Sequence, residues 1–201
     1  LTEMLLEVQN TTGELYLEIG MTEEGFHCFQ KAWSNLMEFS TSAIKDKQDF
    51  VRQKGRVLNN LAKSATEKYL KENRILECAA EISSLLDNNP RDQATMKYTE
   101  GVLIFVAGNT SLAKMRFQEC LNIRRSLFGE KSILVGEIME FLADLLFFLS
   151  GDIVKEGFQR KQAIEYYKQV IQIKENAGTF ANSSLVRKQL SISLSDTLCK
   201  L

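Results

Sequence analysis

The chain has 201 residues, with 25 Lys and Arg against 26 Asp and Glu and a formal net charge of −1. That balance excludes a general electrostatic surface for nucleic acid or acidic membrane and leaves room only for local patches. Hydrophobic residues make up 44% and charged residues 25%, the composition of a chain that buries a core. A single proline, Pro90, points to an almost wholly helical fold, because so few helix breakers interrupt so long a chain.

Leu5, Leu6 and Val8 lead into Tyr16 and Ile19 and predict a first helix over Thr2–Ile19, ended by Gly20. Thr22 followed by Glu23 and Glu24 opens the next helix, which carries Phe26, Phe29, Ala32, Trp33 and Leu36. Phe50, Val57, Leu61 and Ala65 keep helical spacing and predict one long helix from Ile44 to Lys71, with Gly55 as a weak point able to kink it. Ile75, Cys78, Ile82 and Leu85 mark the following helix, and Pro90 is expected to close it. Gln93–Ala107 and Thr110–Phe128 form the next pair, with Asn109 and Thr110 as a start signal after Gly108. After Gly129, Ser132 caps a helix that is apolar on nearly every side from Ile133 to Phe148, so it is expected to be buried on nearly every side. Gly151–Gly157 reads as a loop and Phe158–Glu175 as the partner helix. Ser184–Leu201 reads as a last helix, through Val186, Leu190, Leu194 and Leu198, with no partner after it.

One spacing recurs within these elements. Gly13, Tyr16, Gly20, Gly25, Phe29 and Ala32 are matched by Gly101, Ile104, Gly108, Ala113, Phe117 and Cys120. Small residues let two helices approach closely, and aromatics fill the space beside the crossing. The series resembles the tetratricopeptide repeat. Ala62, Ala65 and Tyr69, and then Ala163, Tyr167 and Val170, follow it less closely. Between Phe39 and Leu58 the chain is about twenty residues longer than the usual 34-residue period needs. The resemblance implies an all-α, right-handed helical-hairpin solenoid. It is expected as a single array over 1–201, with repeats at about 2–39, 44–90, 91–128 and 131–176 and a terminal helix at 184–201. Leu127-Phe128-Gly129, Val135 and Leu142-Ala143-Asp144-Leu145-Leu146 resemble the longer repeats of the kinesin light chains and nephrocystin-3. The His-Pro of that linker is absent, and Lys131 and Ser132 stand near its place. The chain starts at Leu1 and stops in mid-pattern, so it is expected to be a piece of a longer protein.

The residues of common catalytic and metal sites are missing. His27 is the single histidine, and no Cys-x-x-Cys or His-Glu-x-x-His occurs, so no metal and no cofactor are expected. Cys28, Cys78, Cys120 and Cys199 lie in helical patterns and read as reduced thiols of an intracellular protein. Gly129-Glu130-Lys131-Ser132 lacks the upstream glycine of a phosphate loop and reads as a turn and a cap. Asn10-Thr11-Thr12, Asn109-Thr110-Ser111 and Asn182-Ser183-Ser184 are formal glycosylation triplets, and the thiol usage argues against a secretory route. No run is long and apolar enough to span a membrane. Arg124-Arg125 and Lys155, Arg160 and Lys161 are basic clusters of the kind that are most often solvated.

The resemblance implies that the first helix of each repeat lines a concave groove for peptides or partner helices. Counted from the small residues, that face holds Glu7, Asn10, Glu14 and Glu18, then Asn60, Lys63, Glu67 and Lys71. It continues with Thr95, Tyr98, Val102 and Phe105, then Glu137, Glu140, Asp144 and Phe148. A basic clamp for a C-terminal carboxylate is not among them. The candidate partner site is an apolar middle of Tyr98, Val102 and Phe105, flanked by the acids Glu137, Glu140 and Asp144. Such a groove suits a basic, amphipathic segment of another protein. The expected function is a non-catalytic protein-interaction scaffold or adaptor, cytoplasmic, with a ciliary or cytoskeletal setting implied by resemblance. The alternatives are a helical regulatory segment of a larger nucleotide-binding, ATPase-like protein and a structural part of a cytoskeletal or ciliary assembly.

Overall fold

The computed structural model describes residues 2–38, 46–86, 89–148, 156–180 and 184–200. These residues form helices, several of them separated by short turns, with no strand among the described residues. They divide into two compact units, Leu1–Ala113 and Lys114–Leu201.

The first unit holds α1 (Thr2–Glu18), α2 (Thr22–Glu38), α3 (Lys47–Ser64), α4 (Glu67–Glu72), α5 (Ile75–Leu85) and α6 (Pro90–Val106). At the end of α1, Gly20 takes a φ of +82°. Its N–H donates to Leu17 O, and the Met21 N–H reaches back to Tyr16 O at 2.9 Å. At the end of α6 the same turn recurs. Gly108 has a φ of +90°, its N–H donates to Phe105 O, and the Asn109 N–H reaches Ile104 O at 3.1 Å. A left-handed glycine lets two otherwise orphaned carbonyls be satisfied at each helix end. The recurring sequence spacing is therefore a recurring backbone turn.

The close approach of α1 and α2 depends on the missing side chains of Gly13 and Gly25. A Cβ at Gly13 would lie 2.5 Å from Phe29 Cε1, and one at Gly25 would lie 3.0 Å from Gly13 O. Phe29 and Ala32 are fully buried beside this crossing. On the other side α2 packs on α3, and α3 packs in turn on α5 and α6. The first helices α1, α3 and α6 thus stand side by side, with α2 and α5 behind them.

The long helix expected over Ile44–Lys71 is two helices. Its first residues, Ile44 and Lys45, lie outside the described residues. α3 stops where Ala65 turns extended (φ −80°, ψ 153°), and Thr66 then caps α4 by accepting from the Tyr69 N–H. A threonine that can bond the backbone two or three residues on competes with helix continuation. Gly55, expected as a kink, is instead a packing position. A Cβ there would meet Met96 Sδ at 3.3 Å and Ile82 Cγ2 at 3.7 Å. Ala65, expected as a repeat position, is the C-cap of α3, while Tyr69 sits on α4 edge-on to Phe26 at 5.0 Å. Pro90 opens α6 rather than closing α5. Asn89 caps it by accepting from the Arg91 N–H at 2.9 Å, and a proline in the first turn sacrifices no helical bond.

α7 (Thr110–Phe128) begins in the first unit and continues into the second, which also holds α8 (Ile133–Phe148), α9 (Glu156–Phe180) and α10 (Ser184–Lys200). Asn109 caps α7 by accepting from the Leu112 N–H at 3.1 Å. Phe117 and Cys120 on α7 are fully buried, and Phe117 stacks on Phe141 of α8 at 5.4 Å. Between α7 and α8, Gly129 takes a φ of +78° and the Ser132 hydroxyl accepts from the Leu134 N–H, a turn and a cap. Ala143 and Leu146 of α8 close against Ala163 and Tyr167 of α9, with Tyr166 alongside. A Cβ at Gly136 would meet Ile173 Cγ2 at 3.3 Å.

Burial of α8 is broad but incomplete. Ile138, Met139, Leu142, Leu145 and Leu146 are buried, while Ile133, Leu134 and Phe147 near its ends are exposed. A half-buried stripe of Glu137, Glu140, Phe141 and Asp144 runs between them. Most of the Gly151–Gly157 segment lies outside the described residues, but Gly157 is already in α9. The last helix packs back onto α9, and its Thr197 is fully buried.

Candidate functional site

Within each unit the polar residues of the first helices meet partners on neighbouring helices. On α1 the carboxylate of Glu14 accepts from Arg56 Nη2 at 2.5 Å and from Asn60 Nδ2 at 2.8 Å, both on α3. Asn60 also donates to Asn10 Oδ1 at 3.1 Å, and Arg56 Nη1 reaches Glu7 at 2.8 Å. Burial alone would raise the Glu14 carboxyl, but the bonds from Arg56 and Asn60 outweigh it and hold the group below its ordinary value. Further along, Arg52 pairs with Asp92 at 2.9 Å, and Lys63 lies over the Tyr98 ring at 4.9 Å. A hollow of about 310 Å³ opens here, lined by Glu7, Arg52, Arg56 and Asp92 among others. Its charges are matched within the protein.

The second unit repeats the plan with a different balance. Glu140 on α8 accepts from Lys174 Nζ of α9 at 2.6 Å, while Thr197 Oγ1 of α10 lies 2.8 Å from its other oxygen. Lys174, only 7% exposed, also donates to Thr197 Oγ1 and to Ser193 O. Burial pushes Glu140 upward, but the bonds from Lys174 and Thr197 dominate and hold the carboxyl below its ordinary value. Asp144 accepts from the Tyr167 hydroxyl at 2.5 Å and from Lys200 at 2.9 Å. Burial, then the adjacent Asp144 carboxylate, push the Tyr167 hydroxyl far above its usual range. Lys200 is raised because, against burial that would lower it, Asp144 and Glu140 favour its charged form. Glu137 pairs with the buried Arg124 at 2.6 Å.

A hollow of about 580 Å³ lies over this network, lined by Glu137, Glu140, Phe141, Asp144, Ser193, Asp196, Cys199 and Lys200. Four carboxylates and one ammonium face it. The three acids of the expected partner site therefore come together on one side of α8. The expected apolar middle lies in the first unit, where Tyr98 and Val102 are buried at 1% and 8% exposure and Phe105 is 36% exposed. The sequence reading missed Lys174, Thr197, Asp196 and Lys200. Thr197 and Lys200 stand three apart on α10, a helix spacing that places both toward α8, but nothing local marks which helix they meet.

The basic pair Arg124-Arg125 is used internally. Besides its pairing with Glu137, Arg124 donates to Leu134 O, and Arg125 pairs with Glu130. Arg160 lies over the Phe147 ring at 5.7 Å, and Lys155 is outside the described residues. All four cysteines are free thiols, with Cys120 buried and Cys199 exposed. Among the described residues no group of three or more His, Cys, Asp or Glu is placed to hold a metal ion. No helix among them is long and apolar enough to cross a membrane.

Paired helices with small residues at their crossings and left-handed glycines at their ends define a helical-hairpin repeat. The crystal structure of BtubC (BKLC) from P. vanneervenii shares this fold, with a TM-score of 0.54 and 14% identity over 99% of this chain and 82% of that one. No family model matches the chain. At the level of sequence the chain is 72% identical over its whole length to the human putative tetratricopeptide repeat protein 41. It is 66% identical to the mouse and 52% to the rat tetratricopeptide repeat protein 41. These relatives are named for the tetratricopeptide repeat, and the all-α helical hairpins of this chain are of that kind. The chain spans about 15% of the length of these curated relatives.

Proposed function

We propose that this segment is a non-catalytic docking region of a longer protein, and that the α8–α10 face receives a basic segment of a partner protein. The observation that carries the reading is the hollow lined by Glu137, Glu140, Asp144 and Asp196, with Lys200 as the one cation on its wall. Glu137, Glu140 and Asp144 already hold Arg124, Lys174 and Lys200, so the surplus carboxylate on this wall, Asp196, is the one that attracts Lys and Arg of an approaching chain and sets the rate of encounter. Phe141 on the same wall offers an apolar contact. The near-zero net charge gives no general reason to bind nucleic acid. A cytoplasmic setting fits the four free thiols. A ciliary or cytoskeletal setting rests on the likeness of Leu127–Gly129 and Leu142–Leu146 to nephrocystin-3 and kinesin-light-chain repeats.

Glu137 and Glu140 also hold buried cations, so their reversal would disturb the fold as well as the surface. Asp196 is exposed and lines the same hollow, which makes it the better probe. The test is the association of a Lys- and Arg-rich amphipathic peptide, followed by stopped-flow anisotropy over a range of salt. Asp196→Lys is expected to slow association and flatten its salt dependence. Equal rates for the two proteins at every salt concentration would remove this face from the proposal. Phe105, the one residue of the expected apolar middle with appreciable exposure, is tested separately. If it anchors a partner, Phe105→Ala weakens binding by about 2 kcal/mol.

A further inference from the structure

The first unit carries a second opening with a different chemistry. A cleft of about 480 Å³ lies between the C-terminal halves of α2 and α5 and is floored by the first two turns of α3. Trp33, Phe50 and Ile82 form its buried base, at 6%, 7% and 4% exposure. Met37 and Leu85 stand on its walls at 58% and 51% exposure. Large apolar side chains this open, gathered around one concavity, exceed the scatter of single exposed residues on an ordinary surface. The volume falls in the range of ligand and peptide-anchor sites, and an aromatic floor with a few polar groups at the mouth is their usual lining.

The polar groups at the mouth decide what fits. Lys47, Lys54 and Glu81 stand there with Gln48. Lys54 lies over the Phe50 ring at 5.0 Å, its ammonium held at the edge of the apolar floor. No carboxylate pairs with Lys47 or Lys54 among the described residues, whereas Arg52 and Arg56 on the same helix are both engaged by acids. Two ammonium groups with no carboxylate partner among the described residues, against the single carboxylate of Glu81, leave the mouth of this apolar cleft suited to an apolar segment that carries carboxylates.

We propose that this cleft docks an acidic amphipathic segment of a partner protein, its apolar side chains seated on Trp33, Phe50 and Ile82 and its carboxylates on Lys47 and Lys54. The mode is a helix laid into a groove, with the aromatic floor supplying most of the affinity and the lysines the choice of partner. The proposal concerns the α2–α3–α5 face and stands independently of the α8–α10 reading.

The chain has a single tryptophan, Trp33, so its emission reports occupancy of this cleft directly. The experiment titrates the chain with a Leu-rich helical peptide flanked by Glu, and with the same peptide carrying Lys in place of Glu. The expected result is a saturable change in Trp33 emission with the acidic peptide and binding on the order of fivefold weaker, or more, for the basic one. Lys47→Glu with Lys54→Glu should reverse that preference while the helical circular dichroism stays unchanged. Leu85→Asp, on an exposed wall position, should abolish the response to both peptides. No saturable change overturns the proposal. So do equal responses to the two peptides, or an emission change on dilution of the chain alone, which would mean that a second copy fills the cleft.

Discussion

Asn10 on α1 and Glu140 on α8 occupy the same place, three residues before the small residue of their helix, Gly13 or Ala143; Glu14 and Asp144 follow those residues directly. In the first unit the cation that answers this face is Arg56, which comes from the next first helix and keeps a 40% exposed side chain. In the second it is Lys174, which comes from the helix behind and is only 8% exposed. An exposed pair gains little, because water screens it and two long side chains must be ordered. A buried ammonium is costly unless its counter-charge and hydrogen bonds are all in place. The same helix face thus carries a surface clasp in one unit, built on Glu14 just after the small residue, and a buried latch in the other, built on Glu140 three residues before it and closed by Thr197 of α10.

Removing the latch acid gives the largest expected effect. Glu140→Gln leaves Lys174 buried without a counter-charge and should cost about 3–5 kcal/mol. Hydrogen exchange should report the loss first in α10, with α1 unaffected. If α1 and α10 lose protection together, the two networks are not independent.

The next largest separates the two helix crossings. Gly13→Ala puts a methyl 2.5 Å from the Phe29 ring, whereas Gly136→Ala meets Ile173 at 3.3 Å. The first should cost about 1–3 kcal/mol, by overpacking against a side chain with no room to move. The second should be smaller, since an Ile methyl gives way more readily and a helix gains from replacing glycine by alanine. Chemical denaturation of the two variants checks the order.

Acid sharpens the same contrast. Glu14 and Glu140 both have carboxyls lowered from the ordinary 4.5. A lowered carboxyl contributes stability that is present in full above the unfolded value and disappears as pH falls through the folded one. Stability should therefore be flat above about pH 5 and fall below 4.5. The loss should be steeper for α10, where protonating Glu140 strands Lys174, than for α1. Exchange rates measured between pH 6 and pH 3 would test this, and parallel decay of both helices would contradict it.

The smallest effect is the clasp. Glu14→Gln keeps an acceptor for Asn60 and loses only a partly exposed ion pair, so it should cost no more than about 1 kcal/mol. A loss as large as that of Glu140→Gln would show that exposure does not distinguish the two sites.

Local chemistry was enough to determine most of the helices, several of their caps and two of the recurring turns. Gly20 and Gly108 mark left-handed turns because only glycine takes that conformation without strain. Asn109 and Ser132 mark helix starts because a short polar side chain bonds the free N–H groups that follow. Gly13, Gly25, Phe29 and Ala32 mark a crossing because spacing along a helix determines which residues share a face. The break at Ala65–Thr66 was not legible, because the apolar spacing runs through it and a threonine inside such a pattern does not declare whether its hydroxyl caps a new helix. Glu137, Glu140 and Asp144 were legible as one face of one helix. Their partners were not, since Lys174, Thr197 and Lys200 lie 34, 57 and 60 residues from Glu140. Only the packing of α10 against α9 brings Thr197 and Lys200 to Glu140, and only burial between helices turns an ordinary Glu–Lys pair into a latch. Helical periodicity specifies the direction in which a side chain points; the tertiary fold decides what it meets there and how much water is left between them.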